Sequence, residues 1–357
     1  MIHVRRFAKQ GVPLLISLML LPVLVAATPA PIQAPGPRPT PIVIAAAIPG
    51  GIAVPASIDA TGASDASVAL NRFVARVPKG STIVFKAGGR YRMDTALKFA
   101  NRTGLTFEGN GATLRSNGPS NETGSLFWLS VGNRDIVIRN FGLVGTSTSP
   151  GSYVAGKEGQ HGIIAGGLNI EVSNVTVSAV WGDCFYVGGN TTNGVRFHDS
   201  TCASNGRNGV TITAGSGVTI ERNTFVKVGY CTFDIEPTGS GAIASNIIFR
   251  NNTAHWTSGP YGGAFFAVDG GFTGSTINNI TVSGNTVTGK SLRTVFNNGG
   301  TTRNSGVVFT NNSSTVAASG PVLIFAYIDG LTVTGNQQPL TSGSLASITN
   351  STGVIYP

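Results

Sequence analysis

The sequence has little charge, few cysteines and almost no long amphipathic helical pattern. Only 11% of its 357 residues are charged, whereas glycine occurs 49 times. The shortage of helical periodicity excludes a mainly helical protein, and the glycine content favours short strands joined by tight turns. No run of Lys and Arg with interleaved aromatic residues occurs, so we expect no nucleic-acid partner.

Cysteine and histidine are also scarce, which bears on disulfides and metals. The three cysteines, Cys184, Cys202 and Cys231, allow at most one bridge and so exclude a disulfide framework. Cys202 falls on a core position of the repeat described below, so we interpret it as a small buried hydrophobic residue. The cysteines and four histidines show no metal-ligand spacing, so we expect no metal and no cofactor.

The first residues read as a secretory signal peptide, here assigned to residues 1–30. A basic start precedes an apolar run from Val12 to Ala27, and small residues follow. The alternative is an uncleaved membrane anchor, but the run is short for a bilayer span and Pro22 interrupts it. We therefore expect a secreted protein, extracellular or periplasmic, with no stable membrane association after cleavage.

Two segments follow before the repeats begin. Residues 31–57 are rich in proline and alanine and predict an extended linker, so the folded domain is predicted at 58–357. Within it, "SDASVALNRFVARVPKG" predicts a helix that Ser64 or Asp65 caps, with Leu70, Phe73, Val74 and Val77 on one face. A single helix before a strand-rich region is typical of a cap on an exposed end.

A short pattern recurs along the rest of the chain: an apolar residue, any residue, an apolar residue, then Asn or a small polar residue. Its copies are "LTFEGN" (105), "IVIRN" (136), "IEVSN" (170), "VRFHDS" (195), "VTIERN" (218), "IIFRNN" (247), "ITVSGN" (280), "VVFTNN" (307) and "LTVTGN" (331). A second strand follows at an offset of 15, giving Phe185, Val210, Phe233, Val295 and Val322. Nine units of this length predict an all-β solenoid, a parallel β-helix of nine or more coils.

Alignment of the units also predicts what faces inward and what stacks at the turns. Val177, Cys202 and Phe225 share one inward column. The asparagines that share one turn position, and that we expect to hydrogen-bond from coil to coil, are Asn110, Asn223, Asn252, Asn285, Asn312 and Asn336.

The stretch "GSTIVFKAGGRYRMDTALKFANRTGLTFEGNGATL" resembles the first coils of right-handed parallel β-helix proteins of the pectate lyase-like superfamily. The resemblance covers about residues 58–357. It implies a right-handed parallel β-helix with an N-terminal capping helix. Because this superfamily includes hydrolases, lyases, epimerases and non-catalytic modules, it leaves the chemistry open.

The motif "GYCTFDIEPTG" places two carboxylates one residue apart in a chain that has few. We align its strand with "QHGIIAG", "GDCFYVG" and "RNGVTIT", which puts Phe185, Val210 and Phe233 inside. Strand alternation then sends three columns outward. These are Ile164, Tyr186, Thr211 and Asp234; Gly166, Gly188, Thr213 and Glu236; and Gln160, Gly182, Arg207 and Tyr230.

The predicted columns bring Asp234 and Glu236 onto one outer face, with Asp183 and Arg207 nearby. Glycosidic hydrolysis needs one carboxyl group as acid and one as base or nucleophile, and like charge can separate their pKa values. We therefore predict Asp234 and Glu236 as the acid and base, Asp183 as an assisting carboxylate, and Arg207 as the residue that holds an anionic group of the substrate.

The same coils resemble polygalacturonase-type hydrolases, with two departures. "GDCF" matches their Asp-Asp-Cys motif except that Gly182 replaces the first Asp, so Asp183 is the matching catalytic-type residue. "RNGVTI" takes the place of their Gly-His-Gly motif, with Asn208 where the histidine would be. "NGRNGV" followed by "DIEP" is more similar to a group of secreted bacterial β-helix proteins.

Other candidates for substrate binding line the same face. They are Tyr186, His161, Asp269, Trp181, Tyr230, Trp256 and Tyr261. For each, ordinary packing or turn hydrogen bonding is the competing interpretation. Asp269 would extend the acidic column.

These observations predict a secreted, monomeric carbohydrate-active enzyme that cleaves a cell-wall or extracellular polysaccharide, most simply a glycoside hydrolase. The net charge of +9 suits an acidic polymer. One alternative is a lyase or C5-epimerase on a uronate polymer, in which the carboxylates would hold Ca²⁺. Another is a non-catalytic glycan-binding surface module.

Overall fold

A computed structural model describes residues 50–255, 263–269, 274–297 and 303–357, and leaves the side chains of Asp269 and Asn297 undescribed. The strands of each coil belong to three parallel sheets, named A, B and C in the order in which the chain visits them. The predicted right-handed parallel β-helix is confirmed. Within the described residues, no helix is both long and apolar enough to cross a membrane.

Sheet A carries the recurring apolar pattern. In the described residues its strands are Ile52–Ala53, Thr82–Val84, Thr106–Glu108, Arg134–Arg139, Leu168–Ser173, Asn193–His198, Gly215–Glu221, Ile243–Arg250, Thr276–Ser283, Asn304–Thr310 and Ile328–Thr334. The predicted repeat positions pair in register, for example Ile170 with Val195 and Val195 with Val218. The sheet begins before Ile58, because Ile52–Ala53 pairs with Ile83 and Val84.

Sheet B supplies the second strand of each coil. Its described strands are Arg90–Met93, Thr113–Ser116, Gly142–Val144, Thr176–Ser178, Thr201–Ala203, Thr224–Val226, Thr253–His255, Thr286–Thr288 and Ser313–Ser314. The predicted inward column is confirmed, since Val177 pairs with Cys202 and Cys202 with Phe225, all buried. Burial of apolar side chains of this size is worth about 1.5–3 kcal/mol each.

Sheet C contains the aligned strands of the candidate site. Its strands in the described ranges are Leu97–Phe99, Phe127–Leu129, Ile163–Ala165, Phe185–Val187, Val210–Ile212, Phe233–Ile235, Phe266–Asp269, Thr294–Asn297, Leu323–Ala326 and Ala346–Thr349. A small further pair joins Ala318–Ser319 to Leu340–Ser342.

The predicted offset of 15 between strands of sheets A and C holds in the middle coils and fails later. Phe233 pairs with Phe266, and Phe266 pairs with Thr294 rather than Val295. Val295 therefore faces outward. In the next coil, Thr294 pairs with Leu323 rather than with the predicted Val322. The prediction was wrong there because the turns between the sheets change length.

The predicted helix is present as Ser67–Arg76, with Leu70 and Val74 buried against the first coils. Its N-cap is Ala66, so the predicted cap positions were early by one or two residues. Asp65 still satisfies the helix start, because its Oδ1 accepts the Ser67 N–H at 2.9 Å. A short 3₁₀ turn occupies Glu122–Gly124.

Five of the six predicted asparagines form a buried ladder. From Asn223 to Asn312, each side-chain Nδ2 donates to the Oδ1 of the next asparagine and to a carbonyl of sheet A, and Asn336 ends the series. The left-handed residue is the one before each asparagine, such as Asn251 or Asn311. Asn110 itself has a φ of 53°, so it occupies that preceding position and its place in the ladder was predicted wrongly.

A disulfide joins Cys184 to Cys202, whose Cα atoms are 5.8 Å apart. Cys202 is buried on the predicted core position, but it is bridged rather than a free hydrophobic residue. Cys231 is a buried free thiol. The bridge ties the strand Thr201–Ala203 to the segment just before Phe185, which also carries Asp183.

Candidate functional site

The candidate site lies where four successive coils pass from sheet B to sheet C. The backbones of Gln160, Gly182, Arg207 and Tyr230 stack there. Gly182 N–H donates to the Gln160 carbonyl at 2.8 Å, Arg207 N–H to Gly182 at 3.1 Å, and Tyr230 N–H to Arg207 at 2.8 Å. This stack is one of the three predicted columns.

The column that begins with Ile164 and ends with Asp234 is confirmed by the register of sheet C. Ile164 pairs with Tyr186, Tyr186 with Thr211, and Thr211 with Asp234. Because alternation in a strand has a period of two, Glu236 leaves the same side as Asp234. The two carboxylates therefore lie on one face, as predicted.

Arg207 lies at the centre of three carboxyl groups. Its Nη1 is 3.4 Å from Asp183 Oδ2, its Nη2 is 3.9 Å from Asp234 Oδ2, and the same Nη2 forms an ion pair with Glu236 Oε1. Although burial opposes the charge, these carboxyl groups raise the pKa of Arg207. The guanidinium thus binds the chain's own acids in this structure.

The carboxyl groups of Asp183 and Asp234 are both buried. Asp183 is fully buried, and burial raises its pKa even though Arg207 opposes the change. Burial and the charge of Glu236 raise the pKa of Asp234 well above its ordinary value, against the effect of Arg207. A raised pKa favours the protonated form of a carboxyl group, which can donate a proton.

Glu236 differs from both, because its side chain keeps 29% of its surface exposed and pairs with Arg207. The cluster therefore places a buried carboxyl group with a raised pKa beside a partly exposed, ion-paired one. Separated environments of this type are what acid and base roles require.

Asn208 is the residue of this cluster that sequence reasoning missed, having treated it only as a departure from a family motif. Its backbone N–H donates to Asp183 Oδ1 at 3.0 Å, and its Nδ2 donates to Asp234 Oδ2 at 3.0 Å. Its own Oδ1 accepts the N–H of Cys231 at 3.1 Å. Asn208 therefore fixes the position of both buried carboxyl groups.

Gly182 is the other departure from the family motif, because it stands where polygalacturonase-type hydrolases have an aspartate. A Cβ atom at this position would lie 2.0 Å from the carbonyl oxygen of Glu158 and 2.9 Å from His161 Nδ1. The long loop that carries Glu158 crosses directly over Gly182, so an aspartate cannot occupy this position.

His161 packs behind Asp183, on the buried side of the site. It is buried, and its Nδ1 accepts the backbone N–H of Asp183 at 3.1 Å. Burial and the charge of Arg207 lower the pKa of His161 to about 3, so the ring is neutral. The structure places this predicted substrate-binding residue behind Asp183 rather than on the open face.

Tyr186 lies half-buried beside His161, with the two ring centroids 4.8 Å apart. Its hydroxyl oxygen accepts a hydrogen bond from Thr213 Oγ1 at 3.0 Å, and burial raises its pKa. Its position next to Asp234 in the register is the predicted one.

Aromatic residues form the rim. Tyr230 is exposed, and its ring lies 5.6 Å from that of Tyr153. Tyr153 comes from the long loop and donates to Glu158 at 2.5 Å. This hydrogen bond and Arg207 lower the pKa of Glu158 against the effect of burial. Tyr153 and Glu158 were missed, since only the greater length of that unit indicated a loop here.

Trp181 is a buried part of the wall rather than an open platform. Its Nε1 donates to Thr146 Oγ1 at 3.1 Å, and Lys157 Nζ lies 4.1 Å from the centre of its ring system. The indole is therefore covered by the same loop.

Three predicted candidates remain, namely Asp269, Trp256 and Tyr261, and of these only the backbone of Asp269 is described. Val268 pairs with Ile235, so the backbone of Asp269 has the position in its coil that Glu236 has in the preceding one. Trp256 and Tyr261 lie outside the described residues. Among the described residues, no group of three or more His, Cys, Asp and Glu side chains is arranged to hold a metal ion.

The family described as "Right handed beta helix region" matches residues 151–338, which include every described residue of the cluster. The chain belongs to this right-handed β-helix family. No curated protein sequence is detectably similar to it.

Solved structures show the same fold at low sequence identity. An endo-xylogalacturonan hydrolase from Aspergillus tubingensis aligns with a TM-score of 0.53 and 15% identity, over 83% of this chain and 94% of its own. A tailspike protein variant of E. coli bacteriophage HK620, in complex with a pentasaccharide, aligns with a TM-score of 0.52 and 14% identity. The alignment covers 86% of this chain and 66% of the tailspike chain.

Proposed function

We propose that this right-handed β-helix protein is a secreted polysaccharide hydrolase whose acid and base are Asp234 and Glu236. The observation that carries the proposal is the convergence of Asp183, Asp234 and Glu236 on the single guanidinium of Arg207. Two of these carboxyl groups are buried and one is partly exposed, which suits an acid and base pair.

In this proposal Asp234 is the general acid. Its raised pKa favours the protonated form, and because Asn208 donates to Oδ2, the proton would lie on the other oxygen, Oδ1. Protonation of the glycosidic oxygen by Asp234 lets the sugar leave while the ring takes on positive charge. Asp234 becomes a carboxylate, which nearby Arg207 stabilises.

Glu236 is the partner carboxylate. Its side chain pairs with Arg207 and is 29% exposed, so it can accept a proton from the water molecule that attacks the anomeric carbon. Asp183 holds Arg207 from the opposite side, and His161 and Asn208 fix Asp183. We assign Asp183, His161 and Asn208 as positioning residues.

Two observations support export from the cytoplasm. The Cys184–Cys202 bridge is of a kind that persists in oxidising compartments. The first 30 residues read as a signal peptide. We therefore propose an extracellular or periplasmic protein.

The test is an incubation of the protein with neutral and acidic polysaccharides, following both new reducing ends and ultraviolet absorbance of unsaturated products. We expect reducing ends without absorbance, and a loss of about 10²-fold or more in Asp234→Asn and Glu236→Gln. Asp135→Asn is the matched control, because Asp135 is exposed on sheet A and its left-handed backbone suits Asn.

Other outcomes would replace the proposal. Absorbance that depends on Arg207 would indicate a lyase. Retained binding to one polymer with no cleavage of any would indicate a glycan-binding module. Circular dichroism of each variant shows whether a loss of activity is a loss of fold.

A further inference from the structure

A second polar cavity lies on sheet B near the start of the solenoid, away from the carboxyl cluster. It has a volume of about 610 Å³. Its lining includes Arg90, Arg92, Arg115, Thr113, Ser116 and Asn117. Three arginines and several hydroxyl and amide groups thus surround one cavity.

The register of sheet B brings the arginines together. Arg90 and Arg92 leave the same face of one strand, and Arg92 pairs directly with Arg115 of the next strand. Neighbouring strands lie about 4.8 Å apart, so two like charges lie side by side. Such a pair is unfavourable unless something neutralises it.

Among the described residues, one of these charges, that of Arg92, is neutralised by a carboxylate. Arg92 forms two hydrogen bonds of 2.8 Å with the two carboxylate oxygens of Asp94. Over the described part of the chain, neither Arg90 nor Arg115 has a carboxylate within ion-pair distance, and both are exposed. Two guanidinium groups are therefore available to an acid group from outside.

A series of side-chain hydrogen bonds runs from the cavity residue Ser116 to Trp181, which lies two residues before Asp183 in the chain. Gln160 Nε2 donates to Ser116 Oγ at 3.3 Å and to Thr146 Oγ1 at 2.9 Å, and Trp181 Nε1 donates to the same Thr146 oxygen. Arg115 is two coils away from Asp183 and four coils away from Asp234. At about 4.8 Å per coil, these separations are about 10 Å and about 19 Å along the solenoid axis.

We propose that Arg90 and Arg115 form an anion-binding subsite that holds an acid group of an anionic polysaccharide several sugar units from the carboxyl cluster. The acid group is a carboxylate or a sulfate ester, both of which a guanidinium binds through two parallel hydrogen bonds. The subsite would hold the polymer along the solenoid axis. The inference rests on the proposed function in one respect, which is that the ligand reaching both sites is a polysaccharide.

The test measures binding of polygalacturonate, dextran sulfate and neutral dextran to the Asp234→Asn protein, with and without Arg90→Ala/Arg115→Ala. We expect the two arginine substitutions to weaken binding of one anionic polymer by about tenfold or more and to leave neutral dextran unaffected. Which anionic polymer responds identifies the acid group. Arg72→Ala/Arg76→Ala, on the exposed face of the helix, removes the same charge and should change nothing.

Chain length supplies a second readout. If polygalacturonate is the polymer that responds, the arginine substitutions should weaken binding of long oligogalacturonates more than that of a dimer, which cannot reach both sites at once. Arg90→Lys/Arg115→Lys should recover part of the affinity, since charge is kept while the planar fork is lost.

The subsite and the proposed function can fail separately. Equal binding by the arginine variant and its control, or binding of dextran as tight as that of both anions, would overturn the subsite. Absence of cleavage in the wild-type protein, with arginine-dependent binding retained, would overturn the hydrolase and leave the subsite standing.

Discussion

Asp183 and Asp234 are bridged by one residue, Asn208, which donates its backbone N–H to the first and its side-chain N–H to the second. Each carboxyl group thus receives one hydrogen bond from Asn208, while burial removes water from both. This is why their pKa values rise even though Arg207 lies nearby.

The raised pKa of Asp234 has a consequence for stability. The folded protein holds a proton that the unfolded chain releases above the ordinary value of 3.8. Stability from this group is therefore fully present below that pH and falls as pH rises toward the folded pKa. Asp234→Asn removes this loss, so it should stabilise the protein at neutral pH and not at acidic pH.

The measurement is calorimetric unfolding of wild type and Asp234→Asn across acidic to neutral pH. Each kcal/mol that Asp234→Asn adds to the free energy of unfolding should raise Tm by about 2–4 °C. Asp135→Asn, which changes an exposed carboxylate, should follow the wild-type curve. Parallel curves for Asp234→Asn and wild type would contradict the protonation of Asp234.

Arg207→Met should have the opposite effect. It removes the one cation among three carboxyl groups, and loss of one partner from a buried ion pair costs about 3–5 kcal/mol. The loss should be greater at neutral than at acidic pH, because protonation relieves the repulsion among the acids.

Denaturant unfolding at two pH values checks this expectation. The control is Arg303→Met, which breaks the exposed pair of Arg303 with Asp329 and should have little effect. An equal, small change in both variants would show that Arg207 is not an electrostatic support of the cluster.

The disulfide predicts a redox-dependent stability. The bridge spans a sequence separation of 18, and a loop of this size is worth about 3 kcal/mol. Cys184→Ala/Cys202→Ala should lose about that amount, and a reducing agent should lower Tm in wild type but not in the double variant. Cys231→Ala should keep the response to reduction. Peptide mapping that finds Cys231 in a bridge would refute the pairing.

Much of the site followed from sequence because strand alternation and coil register are rigid rules. Once Phe185, Val210 and Phe233 were aligned, the outward positions of Tyr186 and Asp234 had no freedom left. Their burial was not predictable in the same way. It depends on the loop carrying Tyr153 and Glu158, whose path over Gly182 obeys no repeat.

The missed features have a common physical origin in the turns. Cys184 and Asn208 lie outside the strands, where alternation gives no direction for a side chain. The failed offset at Val295 has the same cause, because a turn that shortens by one residue moves the side chains of the following strand to the other face.

The asparagine ladder gives the last prediction. Asn285 is fully buried, and its Nδ2 donates to the Phe249 carbonyl at 3.1 Å and to Asn312 Oδ1 at 2.8 Å. Its Oδ1 accepts the backbone N–H of Asn252 at 2.9 Å. Asn285→Ala leaves several of these buried groups unsatisfied, at about 1–3 kcal/mol each.

We therefore expect Asn285→Ala to lose about 3 kcal/mol or more of unfolding free energy, measured by denaturant titration. The matched control is Asn279→Gly. Asn279 is exposed with a φ of 53°, a conformation that glycine adopts freely, so the variant should lose less than about 1 kcal/mol. If both variants lose the same amount, the buried hydrogen bonds of Asn285 contribute no more than the exposed one between Asn279 and Asn246.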